Sequence, residues 1–151
     1  MITENQTFDE EGSLYGLKDL TVKNCRFDGP ADCESAFKEC RNIDVTGCFI
    51  NLRYPFWHVE KTKIADTNFT ENCRIIGTQP FCYCKNLVLK NCTMEECDLA
   101  FERSTIEVEV NGKIDSVKNP LAGKITADSI GHIILEEEIC DKSKTQIICK
   151  E

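Results

Sequence analysis

The sequence predicts an all-β protein, a single parallel β-solenoid of about five to six coils, and three observations carry that prediction. Four segments begin alike: LTVKNCRF from Leu20, IDVTGCFI from Ile43, TKIADTNF from Thr62 and LVLKNCTM from Leu87. A second signature closes each unit, Phe37-x-x-Cys40, Phe56-x-x-Val59, Phe81-x-x-Cys84 and Phe101-x-x-Ser104, with the phenylalanines 19, 25 and 20 residues apart. Inside each unit, apolar residues alternate with polar ones at the period of a β-strand. A repeat near 20 residues with strand alternation inside it is one turn of a parallel coil, and like residues then stack on like.

Residues 1–18, with Phe8, Leu14, Tyr15 and Leu17 among acids, read as an N-terminal cap over a strand edge that would otherwise invite aggregation. Residues 19–135 carry the coils. Their aligned columns are Leu20, Ile43, Thr62 and Leu87; then Val22, Val45, Ile64 and Leu89; then Cys25, Cys48, Thr67 and Cys92. Asp19, Asn42 and Asn86 stand before three of the strands, and Asn24, Gly47 and Asn91 precede the cysteine column. These residue types accept the left-handed or turn backbone that a coil corner needs. Ile106, Val108 and Val110 begin a fifth coil, and Ile125 begins a sixth, shorter one. Glu136, Glu137 and Glu138 supply a charged stop, so residues 136–151 are expected to leave the repeat as a flexible tail.

A helical repeat is the competing architecture at this period. The units are rich in Val, Ile, Thr, Phe and Cys, poor in Ala, and hold no 3.6-residue apolar stripe. A β-sandwich would account for short strands but not for the same residues recurring at the same places.

The 151 residues include 26 acids against 18 bases, a formal charge of −8 that argues against nucleic acid or an anionic membrane surface as partner. No apolar run approaches the roughly 18 residues of a membrane-spanning helix. The opening MITENQTFDEEG has no basic stretch followed by an apolar one, so the protein is expected in the cytoplasm. There the 11 cysteines, an odd number, read as free thiols rather than a disulfide framework.

Five cysteines fall in the repeat columns beside Thr67, Val59 and Ser104, as small packable groups do. There is no Cys-x-x-Cys pair, which leaves Cys82, Cys84 and Cys97, with Cys73 as an alternative, as the one set with near metal-ligand spacing. No metal and no other cofactor is expected. Tyr54, Trp57, His58 and Tyr83 cluster beside Phe56 and Phe81. On adjacent coils they form a candidate ligand-binding patch for sugar rings or a protein partner, unless Trp57 packs under a loop. Acids in register across coils give one candidate catalytic pair, Glu71 and Glu96, as acid and nucleophile of a glycan-cleaving site. The two histidines, His58 and His132, lie too far apart in sequence for a zinc-hydrolase motif.

The stretches ENQTFDEEGSLYGLKDLTVKNCRFDGPAD, FKECRNIDVTGCFINLRYPFWHVEKTKI, IIGTQPFCYCKNLVLKNC and GKIDSVKNPLAGKITADSIG resemble a bacterial family of unknown function frequent in gut Firmicutes. The resemblance covers most of residues 4–135. It implies a right-handed, pectin-lyase-like parallel β-helix in the bacterial cytoplasm, and no established activity or catalytic residue. Its members often carry a hydrogenase label, which the cysteine spacing here does not support. Family members are longer: where they have further coils after a segment matching TENCR, this chain runs from Cys73-Arg74 straight into Ile75-Ile76. A solenoid tolerates such shortening because each coil touches only its neighbours. The long 25-residue interval at that junction predicts a loop or bulge near residues 70–80.

Three functions are therefore in play. The first is a binding or scaffolding module that engages a protein or glycan along one face of the solenoid, whose exposed ends also offer surfaces for self-association. The second is a carbohydrate-active enzyme using Glu71 and Glu96, with Trp57 and Tyr83 as the sugar platform. The third is a thiol or metal site around Cys82, Cys84 and Cys97.

Overall fold

A computed structural model describes residues 1–28, 35–65 and 73–150. The strands are β1 (Ile2–Glu4), β2 (Thr7–Phe8), β3 (Lys18–Lys23), β4 (Arg26–Asp28), β5 (Arg41–Thr46), β6 (Phe49–Asn51), β7 (Phe56–Trp57) and β8 (Glu60–Ala65). They continue with β9 (Arg74–Ile76), β10 (Phe81–Cys82), β11 (Lys85–Glu95), β12 (Thr105–Asn111), β13 (Lys113–Lys118), β14 (Ala122–Ala127), β15 (Ser129–Ile134) and β16 (Thr145–Cys149). Every strand pairing is parallel. The result is an all-β parallel solenoid of about seven turns.

Its long face is the succession β1, β3, β5, β8, β11, β12, β14, β16. Register follows the sequence columns: Leu20 on Ile43, Ile43 on Thr62, Thr62 on Leu87, and Val22, Val45, Ile64 and Leu89 likewise. These side chains point inward and are buried, while their neighbours face water. The second face runs β2, β4, β6, β9 and the far half of β11, and β7 and β10 pair on the third. At Gly123 the Leu20 column meets backbone so close that a Cβ would lie 1.7 Å from the Ile106 carbonyl oxygen, at a φ of +118° that only glycine adopts freely.

The core is a phenylalanine stack running along the axis. Phe37, Phe56, Phe81 and Phe101 follow one another at centroid separations of 4.6, 5.0 and 5.5 Å, and Phe27 and Phe8 extend the stack at 4.8 and 4.9 Å. Beside it runs a ladder of buried thiols. The Cys25 N–H donates to Cys48 Sγ at 3.5 Å, and the Cys48 N–H donates to Cys73 Sγ at 3.3 Å.

The structure departs from the sequence reading in two places. The expected five to six coils become about seven because both end segments carry strands in register: β1 and β2 stack on β3 and β4, and β16 stacks on β14 with Ile147 over Ile125. Residues 1–18, expected as a cap, thus carry strands of the coil, and residues 136–151, expected as a tail, include β16. In the third coil the thiol column is continued by Cys73, with Arg74 paired to Phe49, where Thr67 was expected. Thr67 lies outside the described residues, as do residues 70–72 of the expected bulge. Beyond them, Gly77 turns the chain at φ +133°, its Cα so close to the Leu52 carbonyl that a Cβ would sit 2.1 Å away.

Candidate functional site

The corner that leads into the long face has an unusual composition. Gly16, Glu39, His58, Tyr83 and Arg103 occupy it on successive coils, all with left-handed backbone at φ +71°, +59°, +56°, +56° and +51°. Backbone hydrogen bonds join the coils there: the Glu39 N–H donates to the Trp57 carbonyl, the His58 N–H to Cys82 and the Tyr83 N–H to Glu102, at 2.8 to 3.0 Å. At the corner that leaves the same face, the left-handed positions are Asn5, Asn24, Gly47, Asn91 and Gly112, the residues that conformation favours. A bulky residue with φ near +55° costs about 1 kcal/mol or more relative to glycine or asparagine. Bulky residues hold the same backbone elsewhere, at Tyr54, Lys61, Gln79, Leu99 and the buried Phe101, so what points to a use here is four in succession on one corner with their side chains lining one groove.

Those side chains line a groove parallel to the solenoid axis. The His58 and Tyr83 rings stack at 4.8 Å with 14° between their planes. Trp57 lies 6.0 Å from Tyr83 and 6.1 Å from His58, and Tyr54 meets Trp57 edge-on at 5.7 Å. The four aromatic residues expected as a patch therefore form one continuous cluster. Trp57 and Tyr54 are half-buried, while His58 and Tyr83 stand at the rim.

On either side of the stacked pair is a concavity. One, about 480 Å³, is lined by Gly16, Lys18, Glu39, Arg41, His58, Glu60, Tyr83 and Lys85. The other, about 620 Å³, is lined by His58, Tyr83, Cys84, Lys85, Asn86, Arg103, Thr105 and Leu121. Strand register explains the cations: Lys18 pairs with Arg41, Arg41 with Glu60 and Glu60 with Lys85, an outward row with one residue per coil. Four cations, Lys18, Arg41, Lys85 and Arg103, face two acids, Glu39 and Glu60, so the groove is locally positive on a chain of charge −8. The acids are already engaged: Glu39 accepts from the Tyr15 hydroxyl at 3.1 Å, and Glu60 lies 3.9 Å from Lys85.

The other candidates are not brought to this groove. Glu71 lies outside the described residues. Glu96 is exposed at the far end of β11, whereas Tyr83 stands just before its start, so no aromatic platform underlies that carboxylate. Cys82, Cys84 and Cys97 diverge. Cys84 and Cys97 point into the core toward the carbonyls of Phe56 and Ile75, at 3.6 and 3.3 Å, while Cys82 lies on the outer side of β10 in register with Trp57. Burial pushes all three thiols up to about 12, away from the thiolate a metal would need. Among the described residues no three His, Cys, Asp or Glu side chains form a metal-binding group. No helix among them is long and apolar enough to cross a membrane.

Sequence reasoning passed over Lys18, Arg41, Lys85 and Arg103. The signal was present: Lys18, Arg41 and Lys85 each stand two residues before the first apolar position of a strand, at Leu20, Ile43 and Leu87.

A parallel β-solenoid with a cationic, aromatic-walled groove along its axis is the class that fold and site define. Within that class the chain belongs to the family described as "Protein of unknown function (DUF3737)", whose model matches residues 1–74 and 70–148. No curated protein and no solved structure matches it.

Proposed function

We propose that the protein is a binding module whose working surface is the groove around His58 and Tyr83, and that an extended partner lies in it along the solenoid axis. The supporting observation is the corner itself: Glu39, His58, Tyr83 and Arg103 hold left-handed backbone where the described residues of the corner across the same face are asparagine and glycine, and their side chains line one groove. Functional side chains are where backbone cost is tolerated. A solenoid adds one equivalent position per coil, so such a groove suits a partner with its own repeat.

Arrays of acidic oligosaccharides, neutral oligosaccharides and peptides test this with the intact protein and two variants. Asparagine accepts the corner backbone, so His58→Asn with Tyr83→Asn removes the rings while keeping the fold. Signal on at least one class that is lost in this double variant, and kept in Arg26→Ala on the second face, is the expected result. Signal indifferent to the double variant, or no signal at all, overturns the proposal.

A further inference from the structure

We propose that the occupant of the groove is an oligosaccharide of uronic acids, bound in two tandem subsites. This rests on the reading of the groove as the working surface and names the chemistry it recognises.

The stacked rings divide the groove. With 14° between their planes and 4.8 Å between centroids, His58 and Tyr83 cover one face of each other and leave the opposite faces free. The free face of His58 looks toward the coil of Glu39 and Arg41, and that of Tyr83 toward the coil of Arg103. Both rings line each concavity, so each offers an aromatic surface suited to the apolar face of a pyranose ring. Each also has cations: Lys18 and Arg41 in one, Arg103 in the other, and Lys85 at the boundary of both. Two neighbouring sites of the same construction take two neighbouring units of the same polymer.

The charge pattern selects the polymer. Lys85 has Glu60 beside it at 3.9 Å, and a neutral glycan gives the other cations, Lys18, Arg41 and Arg103, no counter-charge. A polyphosphate has no hydroxyl to donate to Glu60, which sits between Arg41 and Lys85 in the strand register and repels an acceptor-only polyanion at the centre of the row. A uronic acid offers both complements: a carboxylate for Lys or Arg, and hydroxyls that donate to a carboxylate such as Glu60.

Calorimetric titration of the full chain with a short oligogalacturonide, and with the same oligosaccharide methyl-esterified at its carboxyls, is the test. The free acid is expected to bind about tenfold more tightly than the ester, and Arg41→Gln is expected to lose about fivefold for the acid alone. Binding of the acid should also weaken as salt rises. Equal binding of acid and ester, lost in Tyr83→Asn, overturns the uronic acid while leaving the groove as working surface. Binding unchanged in both Arg41→Gln and Tyr83→Asn overturns both readings. A polyglutamate peptide that binds as tightly as the oligosaccharide and competes with it overturns the sugar in favour of an acidic peptide, and no binding of the oligosaccharide overturns the inference outright. Circular dichroism of each variant checks the fold, and Arg103→Gln replaces any variant that does not fold.

Discussion

At the scale of single residues, the solenoid exacts strict terms and the chain meets them unevenly. Every position on the long face is repeated a coil away, so a residue is judged by its column. Thr62 stands between Ile43 and Leu87, is 1% exposed, and its hydroxyl is the buried side-chain polar atom without a hydrogen-bond partner among the described residues. An orphaned buried hydroxyl costs about 1–3 kcal/mol, and valine has nearly the same shape without it. Thr62→Val is therefore expected to stabilise the protein by about 1 kcal/mol, read as a higher urea midpoint at unchanged slope. A lower midpoint would mean that the hydroxyl has a partner. The sequence already placed Thr62 in the column of Leu20 and Leu87. What it could not supply is the geometry of partners around one hydroxyl, which depends on atoms from three coils.

At the scale of elements, the columns of like residues are the stabilising units, and here the sequence was most informative. Phe37, Phe56, Phe81 and Phe101 were readable from spacing alone, because a column imposes one chemistry at one interval. Phe27 and Phe8 were not, because they enter the stack from strands of the second face and break the interval. Cys73 was missed for a related reason. From Val22 to Cys25, Val45 to Cys48 and Leu89 to Cys92 the interval is three residues, but from Ile64 to Cys73 it is nine, so counting from the strand start lands on Thr67. The local string would have found it: Asn72-Cys73-Arg74-Ile75 matches Asn24-Cys25-Arg26-Phe27. The buried thiols also set a pH limit. Desolvation raises Cys40 to about 11 and Cys82, Cys84 and Cys97 to about 12, from an ordinary value of 9.0. In the unfolded chain these thiols ionise near pH 9, while in the fold they stay protonated. The folded state thus holds more protons above that pH, and stability must fall as pH rises. The stability they contribute is complete well below pH 9 and is lost progressively from about pH 8 toward pH 11–12. Chemical denaturation at pH 7, 8 and 10.5 under reducing conditions should give nearly equal stability at the first two and a clear drop at the third. A flat profile would mean that these thiols are less desolvated than the core packing implies.

At the scale of the whole molecule, fold and site separate cleanly. The fold was legible because a solenoid writes its period into the chain. The site was only half legible: Tyr54, Trp57, His58 and Tyr83 were recognisable as a cluster by proximity in adjacent repeats, but which way they faced depended on two-residue strands, β7 and β10, too short to show alternation. The cations escaped notice because one basic residue before a strand is unremarkable alone, and becomes a row only when the coils are stacked. What unites these features, on the proposed function, is an exchange at one corner, where side chains that line the groove replace residues that turn more easily. Arg103→Asn measures that exchange most directly, since Arg103 lines the groove, is exposed and has φ +51°. Thermal unfolding and oligogalacturonide titration of this variant should move in opposite directions: a midpoint higher by about 2–4 °C, as relief of about 1 kcal/mol of backbone cost implies, with weaker binding. A lower midpoint with undiminished binding would show that the corner side chains serve the fold and not a ligand.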